Sequence, residues 1–226
     1  MVEFIAFAGK FLPSLLTGTV ITIKITFVAI VCGFLIALPL STLRAYGPKW
    51  LQPFLLCYIN LFRGTPLLVQ LFLVYYGLPD FGIAFERMTA ACLTLALNSS
   101  AYQAEYFRGA IQAVSTGQMT AARAIGMSKY KAVIHIVMPQ ALRLVVPVWS
   151  NEFISMVKYT AVVFLIAIPD LMGTAKMISS QQFAPVFTYI LVAIIYLVLV
   201  GISNTFMYYT NKALAIPGLN LKMQGH

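Results

Sequence analysis

Residues 186–209 run without one charged side chain, and residues 15–43 carry only one charge, Lys24. A helix needs about 20 consecutive apolar residues to cross the ~30 Å hydrocarbon core of a bilayer. Runs of this length therefore make the chain a membrane-spanning helical protein, and everything else must fit around them. Composition agrees: 61% hydrophobic and 9% charged residues exclude a water-soluble globule. The net charge of +9 suggests nucleic acid at first sight. There are too few polar residues to build a solvated groove, however, and the basic residues alternate with membrane-length apolar segments. No nucleic-acid partner is expected.

Five spans are predicted, at about 15–43, 55–77, 88–107, 141–165 and 186–209, within a single transmembrane domain covering residues 1–226. Residues 1–13 read as an amphipathic lead-in on the membrane surface that ends near Pro13. The second span is interrupted at Arg63–Gly64–Thr65–Pro66, which is either a helix break that frees backbone groups toward a cavity or a simple entry turn. Residues 168–185 read as a polar connection with room for a short helix. The opening MVEFIAFAGK has Glu3 where a cleavable signal would place basic residues, so no signal peptide is expected.

Charge sets the orientation. The basic segments 44–53 and 108–143 and the C-terminal tail with Lys212 and Lys222 share one side of a five-span chain. Cytoplasmic loops carry the Lys/Arg excess, so that side is the cytoplasm and the N-terminus lies outside. The other side receives Glu3, Asp80, Glu86 and Asp170 against Lys10, Arg87 and Lys176.

The longest break in the apolar pattern, residues 108–140, contains no acid. Ser115 with Gln118 fits a capping box. The run GQMTAARAI then rises to Gly126, placed for a left-handed C-terminal cap. Ser128 can cap a second short helix, KYKAVIHIV, which stops before Pro139. On the first helix Ala121, Ala122 and Ile125 form a face of small side chains with one larger knob, open to close approach by another protein.

The order Gln118–Thr120–Ala121–Ala122, then Gly126, then IVMP ending at Pro139, resembles the cytoplasmic loop of ATP-binding-cassette importer permeases. The segments RGTPLLVQLFLVYYGLP at 63–79, NSSAYQAEYFRGAI at 98–111 and PVWSNEFISMVKYT at 147–160 resemble the polar-amino-acid branch. The resemblance covers roughly residues 14–180. It implies the type I importer permease fold and a coupling helix between spans 3 and 4, with Gly117, Gln118, Ala121, Ala122, Ile125 and Gly126 docking on a cytoplasmic ATPase dimer. It also implies a second permease subunit, identical or homologous, an extracytoplasmic solute-binding protein, an amino-acid substrate and a bacterial inner-membrane location. The chain departs from the pattern twice. Thr120 stands where the family usually has glutamate, and Tyr159–Thr160–Ala161 stands where an Asp-Thr-Ser-like run is expected after Lys158.

The chain's own residues offer no enzyme. The one Gly-Lys pair, Gly9–Lys10, has Phe4 where a phosphate-binding loop needs its first glycine, so ATP is expected on a partner and no cofactor here. The two histidines, His135 and His226, make no metal or hydrolytic pattern. The three cysteines sit singly in apolar segments and are expected as inert thiols. The candidate substrate-path residues are Asn98, Tyr102, Glu152 and Lys158. An ionised carboxylate within a span costs at least ~2.5 kcal/mol on insertion scales and should face a cavity or a partner. Three readings of Glu152 stand: a contact for a substrate's cationic group, an internal pair with Lys158 or Lys24, or an interfacial position if the span starts later. Asn98 and Tyr102, at i and i+4, either line a path or hydrogen-bond between helices. An amino acid's α-ammonium lies close to its own carboxylate, whereas a long cationic side chain separates the charges. Glu152 therefore points to a basic amino acid. The alternative for the whole chain is a stand-alone secondary transporter or channel for small polar solutes; inverted internal repeats, which would favour it, are absent from the sequence.

Overall fold

The computed structural model describes residues 2–214; Lys222 and His226 lie outside the described residues. Regular structure there is helical. It consists of α1 (Val2–Tyr46), α2 (Gln52–Gly64), α3 (Leu67–Phe72), α4 (Arg87–Ala113), α5 (Thr116–Ala124), α6 (Lys129–Ala132), α7 (Met138–Tyr159), α8 (Leu171–Gln182) and α9 (Pro185–Leu214), joined by short 3₁₀ and π-helical turns.

Helix α1 overturns the expected surface lead-in, because Pro13 lies inside one continuous 45-residue helix, as does Pro39. The cause is tertiary. Phe4, Phe7, Ala8 and Phe11 pack on the cluster formed by Leu15, Leu171, Ala175 and Leu191, and Phe4 and Phe7 meet Phe187 edge-on with ring centroids 5.8 and 5.9 Å apart. At ~1.5 Å per residue α1 is longer than a bilayer is thick.

Three stretches among the described residues, Glu3–Tyr46, Lys129–Ile166 and Pro185–Leu214, are long and apolar enough to cross a membrane. The helices flanking Thr65–Pro66 make a fourth if taken as one span, bent by 104°. Helix α4 does not qualify by composition, yet it lies at the centre, packed against α1, α7, α2 and α3. Encased by other helices, it can carry the buried polar residues Thr94, Asn98, Ser99, Ser100 and Gln103, which a lipid-facing helix could not. Small residues bring α1 against it. Ala29, Gly33 and Ala37 form one stripe, and a Cβ on Gly33 would lie 2.8 Å from Gln103 Nε2 and 3.2 Å from Ser99 Cβ.

Pro139 does not stop the second short helix. A π-helical turn, Val133–Val137, joins α6 to α7, and Pro139 falls in the first turn of α7, where a missing N–H is tolerated. The expected polar connection after α7 holds helix α8, whose Leu171, Ala175 and Ile178 are buried against α1 and α9. Asp170 caps it, accepting the Gly173 N–H at 2.8 Å.

Candidate functional site

Two places on this frame carry chemistry. At one end, Arg44 at the end of α1 and Arg108 on α4 both pair with Glu105, at 2.6 and 2.8 Å. Lys129 Nζ donates to the Tyr46 carbonyl at 3.2 Å. The basic segment after α1 and the basic loop after α4 therefore occupy the same end. At the opposite end Arg87 donates to Tyr75 Oη and the Ala167 carbonyl, at 3.3 and 3.4 Å.

The loop between α4 and α7 is built from caps. Ser115 Oγ accepts the Gly117 N–H at 3.3 Å. Gln118 does not close a reciprocal box: its backbone N–H goes to the Ser115 carbonyl at 3.0 Å and its side chain is exposed. Gly126 has φ +86°, and the N–H groups of Gly126 and Met127 bond to the carbonyls of Arg123 and Ala122, at 3.1 Å each. That pair of bonds is a Schellman cap, in which a side chain at the left-handed position would be strained. Ser128 caps α6 by accepting the Lys131 N–H at 3.3 Å.

Gly117, Gln118, Ala121, Ile125 and Gly126 are exposed, Ile125 at 79%. Ala122 is not, with only 4% of its surface accessible. It faces the chain's own loop, because α5 packs against α6 and the π turn before α7. The exposed face of α5 therefore includes Ala121 and Ile125 but not Ala122. A cavity of about 420 Å³ beside this helix is lined by Arg44, Tyr46, Gln112, Thr116, Met119 and Thr120, among others.

The second place lies between the bent helix pair, α4 and α7. Asn98 and Tyr102, one turn apart on α4, both line a cavity of about 380 Å³ with Arg63, Thr65, Leu67 and Tyr159. Tyr102 and Tyr159 also line a neighbouring space of about 80 Å³, closed by Tyr106, Asn151, Glu152 and Ser155. The Arg63 guanidinium sits over the Tyr102 ring, 5.3 Å from its centroid, a cation–π arrangement. So a cation and a carboxylate line two adjoining spaces that share Tyr102 and Tyr159.

Glu152 is 4% accessible. Its Oε1 accepts the Ser99 hydroxyl at 2.8 Å. Ser99 Oγ in turn accepts from Gln103 Nε2 at 2.9 Å, and Gln103 Oε1 accepts the Trp149 Nε1–H at 2.8 Å. This buried chain fixes the carboxylate from behind. The ion pairs among the described residues join Glu105 to Arg44 and Arg108, so Glu152 has no internal cation. Lys158 is exposed and lines neither space, so the fold does not bring it to Glu152. Lys24 is exposed on α1.

In the sequence the 63–66 segment reads as a break or a turn, and Arg63, Tyr106, Tyr159 and Gln70 carry no signal of a role. Arg63, in the last turn of α2 just before the bend at Thr65–Pro66, comes over Tyr102 because α2 packs against α4. The dipeptide Thr-Pro, which disfavours helix before the proline, was the signal available for the bend.

The chain is similar to several known proteins. Residues 29–216 match the family described as binding-protein-dependent transport system inner membrane component. The nopaline transport system permease protein NocM of Agrobacterium fabrum is 37% identical over 195 residues, covering 82% of this chain and 81% of its own. The probable amino-acid ABC transporter permease protein YckA of Bacillus subtilis is 35% identical, with 90% of each chain covered. A crystal structure of an amino acid ABC transporter with histidines superposes with a TM-score of 0.86 at 37% identity, covering 94% of this chain and 99% of that one. An inward-facing structure of the MetNI methionine ABC transporter shares the fold, with a TM-score of 0.80 at 20% identity over 92% of this chain and 99% of its own. The all-helical fold is that of type I importer permeases, and the chain belongs to the family of binding-protein-dependent transport system inner membrane components, as an amino-acid ABC transporter permease subunit.

Proposed function

We propose that this subunit forms the translocation path for a basic amino acid and works with a second permease subunit, a cytoplasmic ATPase dimer and an extracytoplasmic solute-binding protein. The observation that supports the substrate reading is the pair of adjoining spaces that share Tyr102 and Tyr159, one lined by Arg63 and the other by Glu152. A zwitterion with a cationic side chain fits such a pair. Its carboxylate meets the Arg63 guanidinium, and its far cation meets the one carboxylate there, which has no cation of its own. An acidic amino acid would meet Glu152 with like charge. Asn98, Tyr102 and Glu152 are the path residues in this reading, and Lys158 is outside it.

In the same reading Gly117, Gln118, Ala121, Ile125 and Gly126 dock on the ATPase, and Ala122 supports the helix from within. ATP is bound and hydrolysed by that partner; the chain itself carries no phosphate-binding loop. The end carrying Arg44, Arg108 and Lys129 faces the cytoplasm of a bacterial inner membrane, as the positive-inside pattern requires. The N-terminus is then outside.

The test is reconstitution of the complex co-purified from native membrane. Vesicles loaded with ATP and supplied with the binding protein should accumulate radiolabelled lysine or arginine in preference to glutamine and aspartate. Uptake that needs no ATP would replace this reading with a stand-alone transporter. Equal uptake of all four amino acids would return the substrate to an unspecified polar amino acid.

A further inference from the structure

The bend between α2 and α3 leaves helix-end carbonyls without partners, and a single side chain collects them. Gln70 Nε2 lies 2.8 Å from the Phe62 carbonyl, 3.0 Å from the Thr65 carbonyl and 2.8 Å from Thr65 Oγ1. The Thr65 hydroxyl gives its hydrogen to the Leu61 carbonyl at 2.7 Å, so toward Gln70 it can only accept. Every group around that nitrogen is an acceptor, which fixes the amide with its nitrogen toward the break and its Oε1 turned away.

The constraint passes to Asn98. Its Nδ2 donates to Gln70 Oε1 at 3.0 Å and to the Phe62 carbonyl at 3.1 Å. Flipping the Asn98 amide would set its oxygen against two acceptors and leave them unpaired inside the protein, a cost on the scale of a lost buried hydrogen bond. Asn98 lines the cavity that holds Arg63. With both amide hydrogens committed, what it offers there is Oδ1, an acceptor.

We propose that Gln70 is a positioning residue for substrate selection: by locking the Asn98 amide with its oxygen toward the cavity, it makes Asn98 an acceptor in the space that adjoins that of Glu152, so that both spaces favour a donor-rich cation over a neutral side chain. The inference rests on the cavity being the substrate site. It adds that polarity at Asn98 is imposed by backbone carbonyls at the helix break, relayed through a residue that does not itself line the cavity. Without the relay, one of the two acceptors that hold the Asn98 amide is gone, its NH₂ group is freer to turn to the substrate, and the space loses part of its preference for a cation.

Equilibrium binding of radiolabelled lysine and glutamine to the permease–ATPase complex in nanodiscs tests this. The readout is the ratio of the two affinities, which general weakening of the fold would not shift. Gln70→Leu should lower the lysine-to-glutamine ratio about tenfold, the effect of misorienting one hydrogen bond to a charged group. Should Gln70→Leu fail to assemble, Gln70→Met, closer in shape and likewise without the amide, should lower the ratio in the same way. An unchanged ratio in the variant that assembles, or an equal loss for both ligands, would overturn the proposal. If Asn98→Leu and Glu152→Gln both leave the binding of either amino acid unaltered, the cavity reading itself fails.

Discussion

Replacing Glu152 by glutamine removes one charge and keeps the shape. Ser99 accepts from Gln103, so its own hydrogen is committed to Glu152 Oε1. The new amide keeps its oxygen in that position and turns its NH₂ group to the space of about 80 Å³ beyond. A substrate cation then meets a donor where it had an acceptor. A hydrogen bond to a charged group is worth about 1.5–3 kcal/mol net. A bare Coulomb estimate at an effective dielectric of ~20 gives about 4 kcal/mol for unit charges 4 Å apart, but desolvation of both ions offsets part of it, so the lower range governs. At 1.4 kcal/mol per factor of ten, Glu152→Gln should weaken lysine binding roughly 10- to 150-fold. Glutamine binding should change less than about threefold, because no side-chain cation is involved. Scintillation proximity binding to the purified complex in nanodiscs measures both. Lysine affinity unchanged by the substitution would refute the reasoning and make Glu152 a structural residue of the α4–α7 contact.

Ile125→Ser and Ala121→Arg alter the exposed face of α5 and should uncouple ATP hydrolysis from uptake without lowering the melting temperature. Ala122→Glu buries a charge and should lower it; equal stability effects at all three positions would contradict the assignment of faces. With a cysteine-free background, single cysteines at Gly82 and Ser180 should react with an impermeant thiol reagent outside intact cells, and one at Ser128 only after permeabilisation. Outside labelling at Ser128 would invert the topology. A Cβ at Gly18 would lie 2.7 Å from the Asp170 carbonyl oxygen, whereas one at Gly201 meets nothing within 4 Å. Gly18→Ala should therefore cost about 1–3 kcal/mol in overpacking while Gly201→Ala is neutral, read as thermal midpoints in the same detergent.

The long apolar runs and the cap residues of the 108–140 loop were legible because they depend on neighbours in sequence. Ser115, Gly126 and Ser128 all cap, since an N-cap hydroxyl and a left-handed glycine need only the adjacent turn. Pro13 misled for the same reason. Locally it argues for a helix end, but contacts with α8 and α9 hold the first turns of α1 in the same helix. Ala122 is the counterpart on the 108–140 loop, where helical spacing groups it with Ala121 and packing against the π turn turns it inward.

The cavity was half legible. Asn98 and Tyr102 share a face by spacing alone, and Glu152 stood out because a carboxylate within a span needs a reason. Lys158 stood out for the same reason, but the fold leaves it exposed. Arg63, Tyr159 and Gln70 reach the site region through a 104° bend and the crossing of helices remote in sequence. The polarity of Asn98 is further removed still, since it depends on which way two amides are turned. A type letter can say that an asparagine is present. Whether it offers oxygen or nitrogen to a ligand follows from the Phe62 and Thr65 carbonyls at a helix break, so the selectivity proposed for this path is a property of the bend as much as of the residues that line it.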